Sequence, residues 1–369
     1  MKNFPKSYIW INGRKVSFQA ILEKKTVQVS DFEANTFSFI RDWLSGADKF
    51  ELQTSGSTGN PKIISVTRAQ MITSARLTAE ALELREHFNA LVCLDPRHIA
   101  GKMMLVRSME VGMGIFAIDP CANPLSKIPV DLTIHFTALV PYQAKAILES
   151  KHPHMLDTLC SCIIGGGAVE PDLVERLQVY STKIYSTYGM TETLSHVALR
   201  VLNGKNHSDF YQTLPGITVR TDDRSCLIIS APYLDGEIVT NDIAEVTGKN
   251  NFRWVGRWDN VINSGGLKIS SEILEGRIGQ IFTRLEISNS FFIQGIPDEK
   301  LGQRVALVME APLKKEMLEV IRQEFIHSFS PYEIPKVFFE SDSFVYTNTS
   351  KINRQESFKT SRNISYMLD

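Results

Sequence analysis

A loop rich in hydroxyl groups and glycines is the segment of this sequence best suited to chemistry. It reads Thr54-Ser55-Gly56-Ser57-Thr58-Gly59-Asn60-Pro61-Lys62 and follows a short strand-like stretch. Its hydroxyl and backbone N–H groups could face a polyphosphate, because glycines let phosphate oxygens approach the main chain. It is not a Walker A loop, which ends in Gly-Lys-Ser/Thr, since Pro61 precedes Lys62 here. Taken alone, such a cluster is more often a polar surface turn.

Two further segments carry chemistry suited to a metal-bound nucleotide. An apolar strand runs into three glycines at Ile163-Ile164-Gly165-Gly166-Gly167-Ala168-Val169, and a flat ligand could lie against that bare backbone. In the segment Tyr185–Thr193, Tyr188 offers a stacking face, Thr191 a hydroxyl and Glu192 a hard oxygen ligand for magnesium. A tight strand-to-helix turn and a helix-capping glutamate would explain the same residues without a ligand.

Three segments nearer the C-terminus contain charged residues that could contact a nucleotide. They are Gly236–Asp242, a strand ending in a carboxylate that could accept hydrogen bonds from a ribose, Gly256–Lys268, and Thr349–Arg354, which contains Lys351. Individually, these residues are explained equally well as turn carboxylates or solvated surface charges. The fixed order of all six segments favours a nucleotide-dependent function.

The elements between these segments alternate between short apolar strands and helical stretches. The alternation predicts an α/β fold with at least one largely buried sheet. The predicted strands are 90–94, 114–118, 132–138, 160–164 and 183–186, and the predicted helices are 67–84, 143–150 and 171–179. An Asn12-Gly13 pair between strand-like runs predicts an N-terminal hairpin.

The pattern changes near Gly256-Arg257-Trp258-Asp259, where we place a domain boundary. Residues 1–258 are predicted to form a large multi-sheet α/β domain with an abbreviated N-terminus. Residues 259–369 are predicted to form a small, mobile α+β domain, with a glycine turn at 264–266, helices at 270–282 and 314–328, and strands at 290–295 and 305–309.

Composition limits the classes of partner. The chain has 40 basic and 41 acidic residues and a formal charge of −1, so no overall field favours nucleic acid or an anionic membrane. The N-terminus lacks an apolar signal region, and no stretch approaches the length of a membrane span. We therefore expect a cytoplasmic protein that binds neither nucleic acid nor membrane. The sequence is compatible with both a monomer and a homo-oligomer.

Together the six segments resemble the adenylate-forming superfamily of acyl-CoA synthetases, peptide-synthetase adenylation domains and luciferases. The resemblance covers residues 50 to 357, and TSGSTGNPK and YGMTET are its most specific motifs. Within the superfamily the chain is most similar to the short o-succinylbenzoate–CoA ligases of menaquinone biosynthesis. That narrower likeness rests on YGMTETLSHVALR and on the compact size.

The resemblance implies a role for each segment. The phosphate loop would consist of Thr54, Ser55, Gly56, Ser57, Thr58, Gly59 and Lys62. Gly167 and Ala168 would lie near the adenine and Tyr188 against its ring, with Gly189 among the cofactor-binding residues, and Asp242, assisted by Arg257, would hold the ribose. Glu192 would bind Mg²⁺, Thr191 and Lys351 would be catalytic with Lys351 reaching the α-phosphate, and Asp259 would be the hinge. Gly265, Gly266 and Lys268 would line the pantetheine path, and His98 would either gate the acyl channel or be a polar loop residue.

The implied reaction is ATP- and Mg²⁺-dependent activation of a carboxylic acid to an acyl adenylate, followed by thioester formation with coenzyme A. The resemblance implies o-succinylbenzoate as the acid, and His196, Arg200 and Arg97 are candidates to bind its aromatic carboxylate. Alternatives are another acyl- or aryl-CoA ligase, transfer to a carrier-protein thiol, and a non-catalytic nucleotide-binding regulator. Two positions depart from the pattern: Asn241 stands for a glycine before Asp242, and Ser350 for the glycine before Lys351.

Overall fold

The computed structural model describes residues 7–53, 63–129, 131–346 and 352–363. The predicted phosphate loop, Thr54–Lys62, and the predicted catalytic Lys351 both lie outside these residues. The chain forms two compact units, one of Met1–Val219, Ile229–Ile238 and Thr247–Phe252, and one of Arg220–Ile228, Val239–Val246 and Arg253–Asp369. The boundary between residues 258 and 259 stays a prediction.

Strands and helices alternate along most of the described chain. The strands are β1 Tyr8–Ile11, β2 Arg14–Ser17, β3 Lys49–Gln53, β4 Ile63–Thr67, β5 Asn89–Val92, β6 Gly114–Ala117, β7 Phe136–Leu139, β8 Ser161–Ile164, β9 Lys183–Gly189, β10 His196–Val201, β11 Tyr211–Thr213, β12 Thr218–Thr221, β13 Cys226–Ser230, β14 Ile238–Thr247, β15 Asn251–Arg257, β16 Val261–Ser264, β17 Leu267–Ser270, β18 Phe291–Asp298, β19 Gly302–Glu310, β20 Val337–Ser341 and β21 Arg362–Asn363. The α-helices are α1 Phe18–Leu22, α2 Asp31–Leu44, α3 Arg68–Ala81, α4 Ile99–Val111, α5 Pro141–Leu148, α6 Pro171–Leu177, α7 Ser271–Arg284, α8 Lys315–Ser328 and α9 Arg354–Lys359.

The first unit contains a mixed sheet with the strand order β2-β1-β6-β5-β7-β8-β9-β10-β11. Neighbours from β1 to β9 run parallel, whereas the β1–β2, β9–β10 and β10–β11 pairs are antiparallel. Every residue of β7 and β8 is buried, as expected for parallel strands covered on both faces. The predicted α/β class is therefore confirmed.

Local sequence signals explain several element boundaries. Asn12 and Gly13 both have positive φ, 47° and 78°, and close the β1–β2 hairpin with the primed turn that the Asn-Gly pair predicts. Thr67 caps α3 by accepting a hydrogen bond from the N–H of Gln70, whose side chain reciprocates.

A separate hairpin, β3–β4, flanks the predicted phosphate loop. The register pairs Lys49 with Thr67 at one end and Gln53 with Ile63 at the other. Residues 54–62 therefore connect two paired strand ends, and the same ladder leads directly into the N-cap of α3.

The second unit includes a smaller sheet in which β16 pairs with β17 and β19, β19 with β18 and β20, and β20 with β21. Its core joins α7 and α8 to β19 through buried apolar residues such as Leu274, Ile278, Leu307, Ile321 and Phe325. This separate α+β region agrees with the fold class expected from the sequence.

Other elements differ from expectation. Helix α4 covers residues 99–111, a segment for which we predicted no helix. Gly101 lies inside the helix, where a Cβ would lie 2.4 Å from the carbonyl oxygen of Leu94. Strand β7 begins at Phe136, four residues later than predicted.

Candidate active site

The ends of two parallel strands bring the predicted adenine-binding residues to one edge of the sheet. Ile164 of β8 pairs with Ser186 of β9, and Gly165–Gly167 follow β8 directly. A Cβ on Gly165 would lie 2.2 Å from Thr187 Oγ1, so only glycine allows this approach. Gly167 is half-buried and Ala168 is exposed. The backbone is thus bare where a planar ligand was predicted.

Tyr188 is mostly enclosed by aromatic side chains. Its ring centroid lies 5.0 Å from that of Phe252 and 5.8 Å from that of Tyr211, both edge-on, and 9% of the residue is exposed. Gly189 next to it has no room for a side chain, because a Cβ would lie 2.5 Å from the Cα of His196. These contacts fix the backbone at the end of β9. The adenine-stacking role of Tyr188 stays a prediction.

A tight turn carries the predicted metal-site residues between β9 and β10. Its Leu194 adopts φ 66°, a strained value for a non-glycine residue. The Thr193 hydroxyl accepts from the N–H of Met190 at 2.9 Å, and the hydroxyl of Tyr233 donates to the Thr193 carbonyl at 3.1 Å. The turn is thereby held from two sides.

Thr191 is half-buried and Glu192 is exposed on this turn. Within the described part of the chain, the Glu192 carboxylate makes no hydrogen bond or ion pair, and no group of three metal-binding side chains occurs there. A hard, unpaired oxygen ligand fits Mg²⁺, which keeps waters and binds substrate phosphates through few protein carboxylates. Glu192 could therefore hold Mg²⁺ together with a nucleotide.

Beside this turn lies a buried cation that we did not single out from the sequence. Arg107 on α4 is 2% exposed, and burial lowers the pKa of its guanidinium to about 10. Its Nη2 donates to Ser195 Oγ at 2.6 Å and to His196 Nδ1 at 3.4 Å. No Asp or Glu among the described residues pairs with it, and its buried Nε has no hydrogen-bond partner there. A buried charge without a counter-ion is costly unless a ligand supplies one.

Arg107 could have been noticed in the sequence. It interrupts the apolar run Met103-Met104-Leu105-Val106, and a charged residue in such a run points to a paired or functional group. Because α4 itself was not predicted, the run carried no periodicity from which its buried face could be read.

The hydrogen bonds of His196 determine its tautomer. Arginine can only donate, so Nδ1 must accept from Arg107. The Thr78 hydroxyl donates to the Ser74 carbonyl at 3.1 Å, so it accepts from His196 Nε2, also at 3.1 Å. Burial, reinforced by the charge of Arg107, lowers the pKa of His196 well below 6.5. His196 is therefore neutral and is not itself a cation for a carboxylate.

The other two candidates for carboxylate binding differ from Arg107. Arg97 is exposed and forms an ion pair with Asp95 at 2.8 Å. Arg200 lies 5.5 Å from the ring centroid of Tyr211, with a buried Nε that has no partner among the described residues. His98, the predicted gate, is exposed and precedes α4 at the N-cap position without a side-chain hydrogen bond to the helix.

In the second unit, the predicted ribose and hinge residues form one polar cluster. Arg257 Nη1 lies 3.7 Å from Asp242 Oδ1, and its Nη2 donates to Asp259 at 2.8 Å. Although burial opposes it, these carboxylates raise the pKa of Arg257. The Asp242 carboxylate is 11% exposed, and its backbone N–H donates to Thr240 Oγ1 at 3.0 Å. The cluster can orient a carboxylate toward a ribose.

Asn241, which replaces the usual glycine, joins this cluster. Its amide donates to Asp259 Oδ1 at 3.2 Å, and its oxygen accepts from Arg224 at 3.1 Å. Arg224 is itself held by Asp222 at 2.8 Å. Asn241 therefore supplies contacts to Asp259 that a glycine could not make.

The glycine pair at the predicted pantetheine path forms a two-residue turn between β16 and β17. Gly265 and Gly266 have φ of 58° and 84°, and a Cβ on Gly265 would lie 2.5 Å from the Tyr332 ring. Lys268 is exposed, with its Nζ 4.8 Å from the ring centroid of Trp258. Both glycines are required by the positive φ, and Gly265 also by the aromatic ring above it.

Comparison with known proteins identifies the family. A model of the AMP-binding enzymes matches residues 52–240, more than half of the chain. The chain belongs to the AMP-binding enzyme family. This AMP-binding enzyme is 41% identical to an acyl-CoA synthetase (AMP-forming)/AMP-acid ligase II-like protein from Dyadobacter fermentans. That structure aligns with a TM-score of 0.61 over 92% of this chain and 97% of the other.

More distant relatives have more specific names. A 2-succinylbenzoate–CoA ligase of Staphylococcus epidermidis is 25% identical over 82% of this chain and 68% of its own length. The o-succinylbenzoate coenzyme A synthetase of Bacillus subtilis, solved with ATP and magnesium ion, is 19% identical. It aligns with a TM-score of 0.69 over 84% of this chain and 69% of its own, a likeness that shows the shared fold.

The chain thus spans about two thirds of the length of these two relatives. The predicted superfamily is confirmed, and the AMP-binding enzyme is an acyl-CoA ligase of the AMP-forming synthetase class. None of the helices in the described ranges is long and apolar enough to cross a membrane.

Proposed function

We propose that the AMP-binding enzyme is an o-succinylbenzoate–CoA ligase. The names of its curated relatives and the match to the AMP-binding family support this assignment. The observation that carries the choice of acid is the buried guanidinium of Arg107, which has no carboxylate partner among the residues that the structure describes. It lies beside Ser195, three residues after the predicted magnesium ligand Glu192.

The chemistry of the acid explains the need for such a cation. o-Succinylbenzoate carries a succinyl carboxylate, which is activated, and a ring carboxylate, which keeps its charge throughout the reaction. An unpaired carboxylate buried with the ring would be strongly unfavourable. Burying an unpaired arginine is also unfavourable, because its positive charge loses hydration. Pairing the guanidinium with the ring carboxylate offsets the cost of burying each charge. A monocarboxylic acid would not supply this second carboxylate to Arg107.

The proposed reaction has two steps. In the first, an oxygen of the succinyl carboxylate attacks the α-phosphorus of ATP, the bond from that phosphorus to the bridging oxygen breaks, and pyrophosphate leaves. In the second, the thiolate of coenzyme A attacks the acyl carbon and the acyl–phosphate oxygen bond breaks, which releases AMP and the thioester. No protein nucleophile is needed, so catalysis depends on positioning and on preorganised positive charge.

The residues of this chain would divide that work. Mg²⁺, when bound at Glu192, would neutralise charge on the phosphate oxygens. Asp242, oriented by Arg257, would accept hydrogen bonds from the ribose hydroxyls, and Gly165–Gly167 would leave room for the adenine. Lys351 and the loop Thr54–Lys62 would contact the phosphates, as the family resemblance implies. Arg107 would hold the ring carboxylate, so that the succinyl arm points to the α-phosphate.

Release of pyrophosphate with a panel of acids tests this assignment. The panel pairs o-succinylbenzoate with 3-benzoylpropanoate, which lacks only the ring carboxylate, and adds benzoate and a fatty acid. We expect o-succinylbenzoate to exceed 3-benzoylpropanoate by at least 100-fold in kcat/KM, the cost of leaving a buried charge unpaired. Equal rates with both acids would overturn the assignment to o-succinylbenzoate. Turnover with another acid alone would assign a different acyl-CoA ligase.

The acceptor is tested in the same reaction by adding coenzyme A. We expect the release of AMP to become catalytic and to match formation of the thioester. Pyrophosphate release that coenzyme A does not accelerate would contradict the second step and would point to a carrier-protein thiol. Absence of pyrophosphate with every acid would instead indicate a non-catalytic nucleotide-binding protein.

A further inference from the structure

We propose that His196 is a positioning residue that fixes the Arg107 guanidinium for the charged ring of the acid and thereby contributes to the choice of substrate. This inference rests on the proposed function of Arg107 and extends it to a residue that does not touch the acid. It assigns to His196 a role different from the carboxylate binding that its sequence position suggested.

The first argument is geometric. His196 begins β10 and reaches between α3 and α4, where Nε2 meets Thr78 and Nδ1 meets Arg107. Thr78 is in turn fixed by its hydrogen bond to the Ser74 carbonyl. The imidazole therefore bridges α3 and α4, and its contact with α3 fixes the position of the guanidinium on α4. His196 and Ser195 together accept both N–H groups of Arg107 Nη2. Because the guanidinium is planar, these two hydrogen bonds also fix the orientation of its other nitrogens.

The second argument concerns charge. A carboxylate in the place of His196 would neutralise Arg107 and remove its attraction for a charged ligand. A neutral imidazole accepts a hydrogen bond without cancelling the charge, so Arg107 keeps its full positive charge in a fixed orientation. An apolar residue would preserve the charge but not the orientation, and long arginine side chains lose substantial rotamer freedom when fixed.

The contacts of His196 exclude acid–base catalysis by this residue. Nδ1 is occupied by a donor that cannot lose its proton under ordinary conditions, and the Nε2 proton is already donated to Thr78. Neither nitrogen can exchange a proton with a substrate unless one of these bonds breaks. Positioning is the role that the contacts allow.

Two substitutions distinguish the contact of Nδ1 with Arg107 from the contact of Nε2 with Thr78. His196→Asn places an amide oxygen near the position of Nδ1 and keeps an acceptor for Arg107. His196→Gln reaches toward Thr78 and removes the acceptor that faces Arg107. The assay measures pyrophosphate release with o-succinylbenzoate and with 3-benzoylpropanoate, whose reaction reports on the rest of the site. Thermal unfolding of each variant reports on folding.

We expect His196→Gln to lose about tenfold or more in kcat/KM for o-succinylbenzoate, chiefly through KM, since one hydrogen bond to a charged group is lost. We expect the rate with 3-benzoylpropanoate to change by less than about twofold. His196→Asn should keep most of the preference for o-succinylbenzoate over 3-benzoylpropanoate that His196→Gln loses. If Asn and Gln variants behave alike, or if both acids lose rate equally, His196 has only a structural role and the inference fails.

The wild-type protein separates this failure from failure of the proposed function. If it does not distinguish the two acids, then Arg107 does not select the ring carboxylate, and both proposals fall. If it does distinguish them while the His196 variants keep the same ratio, the function stands and the positioning role is wrong.

Discussion

Replacing Arg107 by methionine should stabilise the protein without ligand and at the same time impair its choice of acid. Methionine has a similar length, carries no charge and fits an apolar environment. The position is buried, since Arg107 is 2% exposed and Met103 and Met104, four and three residues earlier on the same face of α4, are fully buried. If Arg107 served folding alone, its replacement would lower the stability and would not change the choice of acid.

The structure sets the magnitude. Burial lowers the pKa of Arg107 from 12.5 to about 10, and at about 1.4 kcal/mol per pH unit this corresponds to about 3 kcal/mol against the charged form. The hydrogen bonds to Ser195 and His196 return part of that, about 1–2 kcal/mol. We therefore expect Arg107→Met to raise the free energy of unfolding by about 1–2 kcal/mol, and we expect kcat/KM for o-succinylbenzoate to fall by at least about 100-fold.

Two assays check these values. Urea unfolding without ligand measures the stability, and pyrophosphate release with o-succinylbenzoate and 3-benzoylpropanoate measures the selectivity. Arg107→Lys is the matched control, because it keeps the charge but cannot reproduce the contacts of Nη2. A large loss of stability in Arg107→Met, together with equal loss of rate on both acids, would refute the reasoning and make Arg107 a structural residue.

Three further predictions concern other parts of the molecule. Lys351→Ala should abolish pyrophosphate release but spare thioester formation from preformed acyl adenylate, as measured by product analysis; equal loss in both half-reactions would contradict the assignment. Asn241→Gly should lower the free energy of unfolding in urea by about 1–2 kcal/mol, because it removes the bond to Asp259 and adds backbone freedom; an unchanged midpoint would show that the bond contributes nothing. Since the pKa of His196 is lowered by burial, only the unfolded chain takes up this proton just below pH 6.5, so stability should fall as the pH drops, by up to about 1.4 kcal/mol per pH unit. His196→Gln should remove that part of the slope in urea unfolding at pH 5 and 7, and an identical slope would be inconsistent with a neutral buried imidazole.

Local signals predicted much of the fold because they do not depend on distant contacts. The Asn12-Gly13 turn, the Thr67 cap and the glycine pair Gly265-Gly266 each follow from backbone preferences of a few residues. The apolar strands β5 to β8 were recognised for the same reason, since strands buried on both faces need continuous apolar runs.

Helix α4 and the contacts of its arginine could not be predicted in this way. Gly101 is needed in the helix because the backbone of Leu94 and Asp95 leaves no room for a Cβ there, and the residue types alone do not reveal this contact. The role of Arg107 depends on side chains 88 and 89 positions away in the sequence, Ser195 and His196. The candidate site was therefore predicted from its motifs, whereas the cation that would select the acid required the three-dimensional structure.

The central claim is that this AMP-binding enzyme forms a thioester from the acid whose second carboxylate meets Arg107. The most direct test gives the enzyme MgATP, coenzyme A and equal amounts of o-succinylbenzoate and 3-benzoylpropanoate, and identifies the thioesters by mass spectrometry. We predict succinylbenzoyl-CoA with an equal amount of AMP and at most about one part in a hundred of the benzoylpropanoyl thioester. Comparable amounts of both thioesters, or AMP without either, would contradict the account.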